Sequence, residues 1–481
     1  MRTRIVCTIG PASESEQVLR EMIRTGMDVA RMNFSHGTHE DHARRIALVR
    51  RLAAEEGAHV AIMGDLQGPK FRVGGLPPTG IELIRDQIVR VVAGEGGPGF
   101  EIAIPFPHPE VIEACGPGQR LLIDDGAMVL EVVDAPGPGS IRCRVVYGGT
   151  LTSRKGVSAP GARVKVSSIT PKDAIDVVFA IAQKVDALAL SFVRRADDVV
   201  ELRELAHSHG ADPLLVAKIE KPEALDDLDH IIRVSDVVMV ARGDLGVEAA
   251  PEEVPFYQKR IIKACQSAGK PVITATQMLQ SMIKASSPTR AEASDVANAV
   301  LDGTDAVMLS AESATGDYPI EAVRAMSRIA MNAEAHLIES RRLAGPTDLR
   351  PQRGPEIGVI DVVTDSVTCS AVELASDVDA KAIVCTTSSG HTARMVARHR
   401  PAVAILTLTN SPRAYAYTAF MWGVNAAIMP LPKDADTLFL SAAQAAFERG
   451  YATVGDRVVI TAGLPVGAGA GRTNVLKIQT V

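Results

Sequence analysis

The chain has 481 residues, 46% hydrophobic and 22% charged, with a formal net charge of -6. That length exceeds one compact core and the composition is that of ordinary globular domains, which excludes disordered, fibrous and repeat proteins and points to two to four domains. With no basic surplus and only 4% aromatic residues, a nucleic-acid groove built from cations and stacking rings is also excluded.

Met1-Arg2-Thr3-Arg4 followed by an apolar run looks like the start of a secretory signal until Gly10 and Pro11 cut it short. Short apolar runs, each followed by a stretch of helical period, then appear at Ile5–Thr8, Val29–Asn33, Val60–Asp65, Ala187–Phe192, Leu214–Lys218, Val237–Ala241, Pro271–Thr274 and Ala306–Leu309. Eight strands alternating with helices predict a (β/α)8 barrel over residues 1–70 and 167–340. Between the third and fourth strands, residues 71–166 are rich in Gly and Pro and alternate with period two, as in Ser140-Ile141-Arg142-Cys143-Arg144-Val145. This predicts an inserted small β-barrel domain in a βα loop, over the face where barrel enzymes keep their active sites, and so a lid. Residues 341–357 read as a linker, and residues 358–481 as an open α/β domain. Its strands are expected near Ala382–Cys385, Ala404–Leu408, Ala426–Met429, Val458–Thr461 and Val475–Ile478, with helices at Thr392–His399 and Ala435–Arg449. Cys7, Cys115, Cys143, Cys265, Cys369 and Cys385 show no C-x-x-C spacing, which fits reduced thiols in the cytoplasm, and no stretch is long enough to span a bilayer.

The carboxyl ends of the predicted barrel strands carry Arg31 and Asn33, Asp65, Ser191, Lys218 and Glu220, Asp244, Thr276, and Ser310 with Glu312. In a barrel these ends converge on one rim. Lys218-Ile219-Glu220 puts two charges on one side of an extended segment, and Asp244 adds a second carboxylate from the neighbouring strand. Two carboxylates completed by substrate oxygens and water are what Mg²⁺ accepts, and Gly243 lets backbone N–H groups approach an anion. Arg31 offers a forked donor set for a phosphoryl group, and Lys218 a compact cation for charge that develops during its transfer.

These residues lie within longer stretches: IVCTIGPAS (Ile5–Ser13), RMNFSHG (Arg31–Gly37), GGTLTSRKGVSAPG (Gly148–Gly161), AKIE (Ala217–Glu220), MVARGDLG (Met239–Gly246), TATQMLQSM (Thr274–Met282) and PTRAEASDVANAVLDGTDAVMLSAESATGDYP (Pro288–Pro319). In that order, over essentially the whole chain, they resemble the bacterial pyruvate kinases. The resemblance implies transfer of phosphate from phosphoenolpyruvate to ADP, giving pyruvate and ATP in the last step of glycolysis. It implies Glu220 and Asp244 as ligands of Mg²⁺ or Mn²⁺, backbone N–H groups of Gly243 and Asp244 on the substrate carboxylate, and Arg31 and Lys218 on the migrating phosphoryl group. Thr276 matches the hydroxyl implicated in binding substrate and protonating the enolate. Asn33, His36, Arg72 and Lys155 match positions near the nucleotide phosphates, and Asp125 matches a lid carboxylate, though an Asp before Gly126 is also an ordinary turn former. A homotetramer is implied in the same way.

One departure stands out. Potassium-dependent relatives read Asp-Thr-Lys-Gly-Pro-Glu where this chain reads Asp65-Leu66-Gln67-Gly68-Pro69-Lys70, while the other potassium ligands, Asn33, Ser35 and Asp65, are retained. A lysine ammonium can fill the electrostatic role of K⁺, so the chain resembles the potassium-independent subgroup and K⁺ is not expected to be required. In the third domain, Thr386-Thr387-Ser388-Ser389-Gly390-His391-Thr392 reads equally as an anion pocket or as a hydroxyl-capped helix start. The resemblance implies a phosphorylated allosteric effector bound there and closed over by the glycine stretch containing Gly469 and Gly471. Trp422 reads as a packed core or interface side chain. With Val481 soon after the last predicted strand, the extra C-terminal phosphotransfer domain of some bacterial relatives is not expected in this sequence. Two rival readings stay open: another metal-dependent barrel enzyme of phosphoenolpyruvate or pyruvate, such as a mutase or aldolase, and a non-catalytic metabolite sensor.

Overall fold

The computed structural model describes residues 1–95, 103–162, 164, 166–344, 362–430, 432, 434–465 and 472–481. Eight parallel strands close into a barrel: Arg4–Thr8, Val29–Asn33, Ala61–Asp65, Ala187–Leu190, Leu214–Ile219, Val237–Ala241, Val272–Ala275 and Ala306–Leu309. Each is buried over nearly its whole length because helices cover the outside and side chains fill the inside, which is why the strands read as unbroken apolar runs. The register places Asn33 opposite Asp65, so polar residues at neighbouring strand ends share one rim.

Local chemistry sets the helix ends. The Ser15 hydroxyl accepts the Val18 N–H at the start of helix Glu16–Thr25, and Gly26, at φ 121°, ends it. Capping boxes pair Thr38 with Asp41, Thr170 with Asp173 and Thr289 with Glu292 at the starts of His39–Glu55, Pro171–Ala182 and Arg290–Asp302.

Between the third and fourth barrel strands the chain builds a separate sheet. Six strands lie in the order Val157–Ser158, Arg120–Ile123, Met128–Gly137, Ser140–Tyr147, Ile88–Ala93 and Ala103–Phe106, and a ribbon pairs Ile81–Leu83 with Gly149–Leu151. Ribbon and sheet share one core that includes Val73, Leu83, Leu130, Ile141, Cys143, Val145 and Leu151. The alternation seen in the sequence is therefore real: Ile141, Cys143 and Val145 point inward while Arg142 and Arg144 are exposed.

The C-terminal sheet runs Val424–Ile428, Ala404–Thr409, Ala382–Thr386, Arg457–Ala462 and Val475–Thr480, the last strand antiparallel to its neighbour. Its helices are Val362–Asp377, His391–Ala397, Pro412–Thr418 and Ala435–Glu448, the first and third not foreseen. The final barrel helix, Pro319–Ala344, extends into the stretch expected to be linker, and the rest of that stretch lies outside the described residues. The domain packs under the amino-terminal end of the barrel. One apolar cluster runs from barrel-interior Val6, Met63 and Met308 to Ile383, Phe420 and Met421. Arg400 pairs with Asp305 at 2.6 Å across this seam, and Trp422 is buried with the Arg2 and Arg400 guanidinium groups 5.2 and 5.0 Å from its ring centroid. No described helix is long and apolar enough to cross a membrane.

Candidate active site

At the carboxyl end of the barrel, four buried charges form a continuous chain. Arg31 Nε lies 2.6 Å from Asp65 Oδ2, Lys218 Nζ lies 3.1 Å from Asp65 Oδ1, and the same Nζ lies 2.8 Å from Glu220 Oε1. Arg31 also donates to the Thr8 hydroxyl at 2.8 Å, and Lys218 to the Ser191 hydroxyl at 2.6 Å. Each of the four is at most 9% exposed. Charges so buried are tolerated because each has an opposite partner and further hydrogen bonds. Burial alone would raise the Asp65 carboxyl, but Lys218 and Arg31 outweigh it and hold it below the ordinary carboxylate range. Burial alone would lower Lys218, yet Asp65 and Glu220 hold its ammonium above the usual lysine value.

Glu220 differs. Burial pushes its carboxyl up to about 7, with Lys218 opposing and the nearby Asp244 adding to the rise. Its Oε2 accepts the Phe192 N–H at 2.7 Å. Asp244 stands in the short helix Arg242–Glu248, directly after the sixth strand, and is partly exposed. The described residues hold no cluster of three or more His, Cys, Asp or Glu that could bind a metal. Two crowded carboxylates, one of them deeply buried, do match an ion that keeps most of its shell for water and substrate oxygens, as Mg²⁺ does.

Thr276 follows the seventh strand with φ 68°, a strained value for a β-branched residue. Its hydroxyl accepts the Gly243 N–H at 2.6 Å and lies 2.6 Å from the Ala275 carbonyl, to which it donates. The loops after the sixth and seventh strands are thereby locked together, and Arg242 strengthens the lock by donating to the Thr276 carbonyl at 2.8 Å and pairing with Asp295 at 2.7 Å. Glu312, at the end of the eighth strand, is fully buried and accepts the backbone N–H groups of Leu279 and Ser310, so it shapes the rim from below.

A cleft open to solvent separates this rim from the inserted sheet; Lys70, Asp125, Ser158, Lys221, Asp244 and Glu248 are among its walls. On the lid side, Lys155 pairs with Asp124 at 2.7 Å, while Asp125 beside it lines the cleft. Arg72 is exposed and donates to the Arg154 carbonyl at 3.0 Å. On the barrel side, the Asn33 side-chain oxygen accepts the Ser35 N–H at 3.1 Å, with Ser35 and His36 exposed beside it. Leu66 is buried, and Lys70 is exposed at the cleft, where a Cβ on Gly156 would come 3.7 Å from its Cε. Among the described residues no hydrogen bond or ion pair joins Lys70 to Asn33, Ser35 or Asp65.

In the C-terminal domain, the Thr387 hydroxyl accepts the N–H groups of Ser389 and Gly390 at 3.3 and 3.1 Å, and Gly390 takes φ 81°. Ser389 accepts the His391 N–H at 3.4 Å, and Thr392 shares a buried hydroxyl–hydroxyl bond of 2.8 Å with Thr473. Thr386 ends its strand buried, next to Thr387 and Ser388. Gly469 and Gly471 lie outside the described residues.

A closed parallel barrel, cations and carboxylates gathered at its strand ends, and a cleft under an inserted sheet define a phosphotransferase of the barrel class. Comparison with known proteins narrows that class. The pyruvate kinase barrel-domain profile matches residues 1–323, and the pyruvate kinase alpha/beta-domain profile matches residues 365–479. A pyruvate kinase of Geobacillus stearothermophilus is 45% identical over 483 residues, covering 100% of this chain and 80% of the relative. One from Agrobacterium vitis is 45% identical over 484 residues, covering 100% and 97%. The crystal structure of a pyruvate kinase from Cryptosporidium parvum superposes with a TM-score of 0.88 at 36% identity, covering 100% of this chain and 96% of that one. The chain belongs to the pyruvate kinase family.

Proposed function

We propose that this chain transfers the phosphoryl group of phosphoenolpyruvate to ADP and protonates the resulting enolate to pyruvate, in the cytoplasm and as a homotetramer. The observation that carries the chemistry is the buried Arg31–Asp65–Lys218–Glu220 chain beside Asp244. Phosphoryl transfer asks the protein mainly for positioned charge. Asp65 holds Arg31 and Lys218 in fixed directions, so both cations meet the migrating group without reorganising. Glu220 and Asp244 would hold a divalent ion, Mg²⁺ or Mn²⁺, which supplies charge neutralisation at the substrate oxygens when bound. The substrate carboxylate takes the N–H groups of Gly243 and Asp244, which requires it to displace the Thr276 hydroxyl from Gly243. The released hydroxyl is then placed to bind substrate and to pass a proton toward the enolate.

The nucleotide lies between the barrel edge at Asn33 and His36 and the lid at Arg72, Asp125 and Lys155, with Asp124 setting the Lys155 ammonium. Residues 71–166 form the lid, 1–70 and 167–340 the catalytic barrel, and 358–481 the regulatory domain. Lid closure excludes water from the phosphoryl group. Lys70 takes the electrostatic place of K⁺, a reading supported by its charge and its position at the cleft. Thr386, Thr387, Ser388, Ser389, Gly390 and Thr392, with Gly469 and Gly471, bind a phosphorylated effector, supported by the cluster of hydroxyls around one loop. The six buried free thiols support a reducing compartment.

The test is a coupled assay of phosphoenolpyruvate and ADP with Mg²⁺, run on the native chain and on Glu220→Gln. Pyruvate from the native chain, and turnover in the variant lowered by two or more orders of magnitude, is the expected result. No pyruvate from the native chain ends the proposal; undiminished turnover in the variant removes Glu220 as a metal ligand.

A further inference from the structure

Asp173 is 0% exposed and carries four hydrogen bonds on one carboxylate. Its Oδ2 accepts the Thr170 N–H at 2.9 Å and the Thr170 hydroxyl at 2.6 Å, and its own N–H donates back to that hydroxyl at 3.1 Å, which closes the capping box of helix Pro171–Ala182. Capping asks nothing more of it. Its Oδ1 nevertheless accepts the N–H groups of Gln67 and Gly68, at 2.9 and 3.2 Å, from the turn that leaves the third barrel strand.

That turn is wedged into the active site. Gly68 has φ 69°, and a Cβ there would fall 2.9 Å from Ser191 Cβ and 2.8 Å from the Phe192 ring, so the turn sits hard against the exit of the fourth strand. Ser191, 2% exposed, donates to the Leu66 carbonyl at 2.7 Å and accepts from Lys218 Nζ at 2.6 Å. Phe192 donates its N–H to Glu220 Oε2 at 2.7 Å. A displacement of Gln67 and Gly68 is thus passed within one contact to the residues that hold Lys218 and Glu220. The same turn carries Lys70 to the cleft.

We infer that Asp173 is a positioning residue for phosphoryl transfer: it anchors the 66–70 turn and, through Ser191 and Phe192, sets the placement of Lys218 and Glu220. The inference rests on the roles proposed above for those two residues. Both oxygens of the side chain are needed as acceptors, because each accepts twice. In Asp173→Asn a single oxygen remains, so the side chain can serve the cap or the turn, and its NH₂ opposes donors on the other side.

Two variants of the full chain separate positioning from capping. Thr170→Ala removes the cap hydroxyl and leaves the bonds to Gln67 and Gly68. It is expected to lower thermal stability while keeping kcat and the half-saturating Mg²⁺ concentration within about twofold of native, since surface-side cap losses are local. Asp173→Asn is expected to lower kcat on the order of 10- to 100-fold and to raise the half-saturating Mg²⁺ concentration, as misplacement of catalytic groups does. If the two variants shift kcat and Mg²⁺ dependence alike, in step with their loss of stability, Asp173 is only a cap and the inference is overturned. Hydrogen exchange on the native chain gives a second test that needs no variant to fold. The Gln67 and Gly68 amides should exchange slowly, and rapid exchange typical of an open turn would overturn the inference equally. Native turnover in the same assay distinguishes failure here from failure of the proposed chemistry.

Discussion

Replacing Asp65 by Asn probes the centre of the site while nearly preserving its shape. The substitution removes the one negative charge shared by Arg31, at 2.6 Å, and Lys218, at 3.1 Å, and leaves two cations facing each other in a buried space. Losing one partner of a buried ion pair costs about 3–5 kcal/mol. The lower end applies here, because Arg31 keeps the Thr8 hydroxyl and Lys218 keeps both Glu220 and Ser191. The expected loss is therefore about 3 kcal/mol of stability, with kcat/KM lowered on the order of 100-fold because Arg31 is no longer aimed. The pH dependence has a definite sign. A carboxyl held below its ordinary value of 3.8 contributes stability that is present above that value and lost only as pH falls through the lower, folded-state value. The difference between Glu220→Gln and the Asp65→Asn/Glu220→Gln double variant, a background without the neighbouring carboxyl that titrates near 7, should thus stay constant from about pH 5 to about pH 8 by urea unfolding followed by circular dichroism. Arg31→Met completes a double-mutant cycle on kcat/KM, and a coupling of about 1–3 kcal/mol is expected between the two positions. A stability loss under about 1 kcal/mol with kcat/KM within about twofold of native would refute the role assigned to Asp65.

Native turnover should be equal in sodium and potassium buffers, and Lys70→Glu should introduce a dependence on K⁺; native activity that appears only with KCl would remove Lys70 from its proposed role. Ellman's reagent should react with none of the six buried cysteines within minutes in the native state and with all six after unfolding, since burial pushes Cys115 up to about 11 and Cys143 up to about 12. Lys270, at the barrel–domain seam, is lowered to about 7 by burial and then by the charge of Arg394. Its unfolded form takes up a proton near 10.5 and the folded form only near 7, so it costs stability at neutral pH and less as pH rises. Lys270→Met also removes the ammonium's bonds to the Arg233 and Ser235 carbonyls, so the pH dependence is the readout: the variant should gain on the native chain as pH falls from about 9.5 to about 7, and a gain that grows with pH would contradict this.

The barrel was legible because strands buried on both faces must be apolar throughout, and because polar residues can return only where a strand meets the rim, as at Asp65 and Lys218. What stayed hidden has particular physical reasons. Helix Val362–Asp377 turns Thr364, Asp365 and Thr368 inward and leaves Val362 and Val363 60% and 52% exposed, so its hydrophobic pattern does not mark its buried face. Asp124 and Asp125 both adopt φ 54° in one turn before Gly126, and only the folded lid decides which of them meets Lys155. Asp65 could be read as a ligand for a monovalent ion, but its partners Arg31 and Lys218 lie 34 and 153 positions away along the chain, and only barrel closure makes it their common counter-charge. Asp173 shows the same limit most sharply. Thr170-Pro171-Lys172-Asp173 spells a capping box, and nothing local in it signals a second pair of donors more than a hundred residues upstream. A residue that already has a sufficient local reason conceals a tertiary one, so positioning residues of this kind emerge only when every acceptor on a buried carboxylate is traced to its donor.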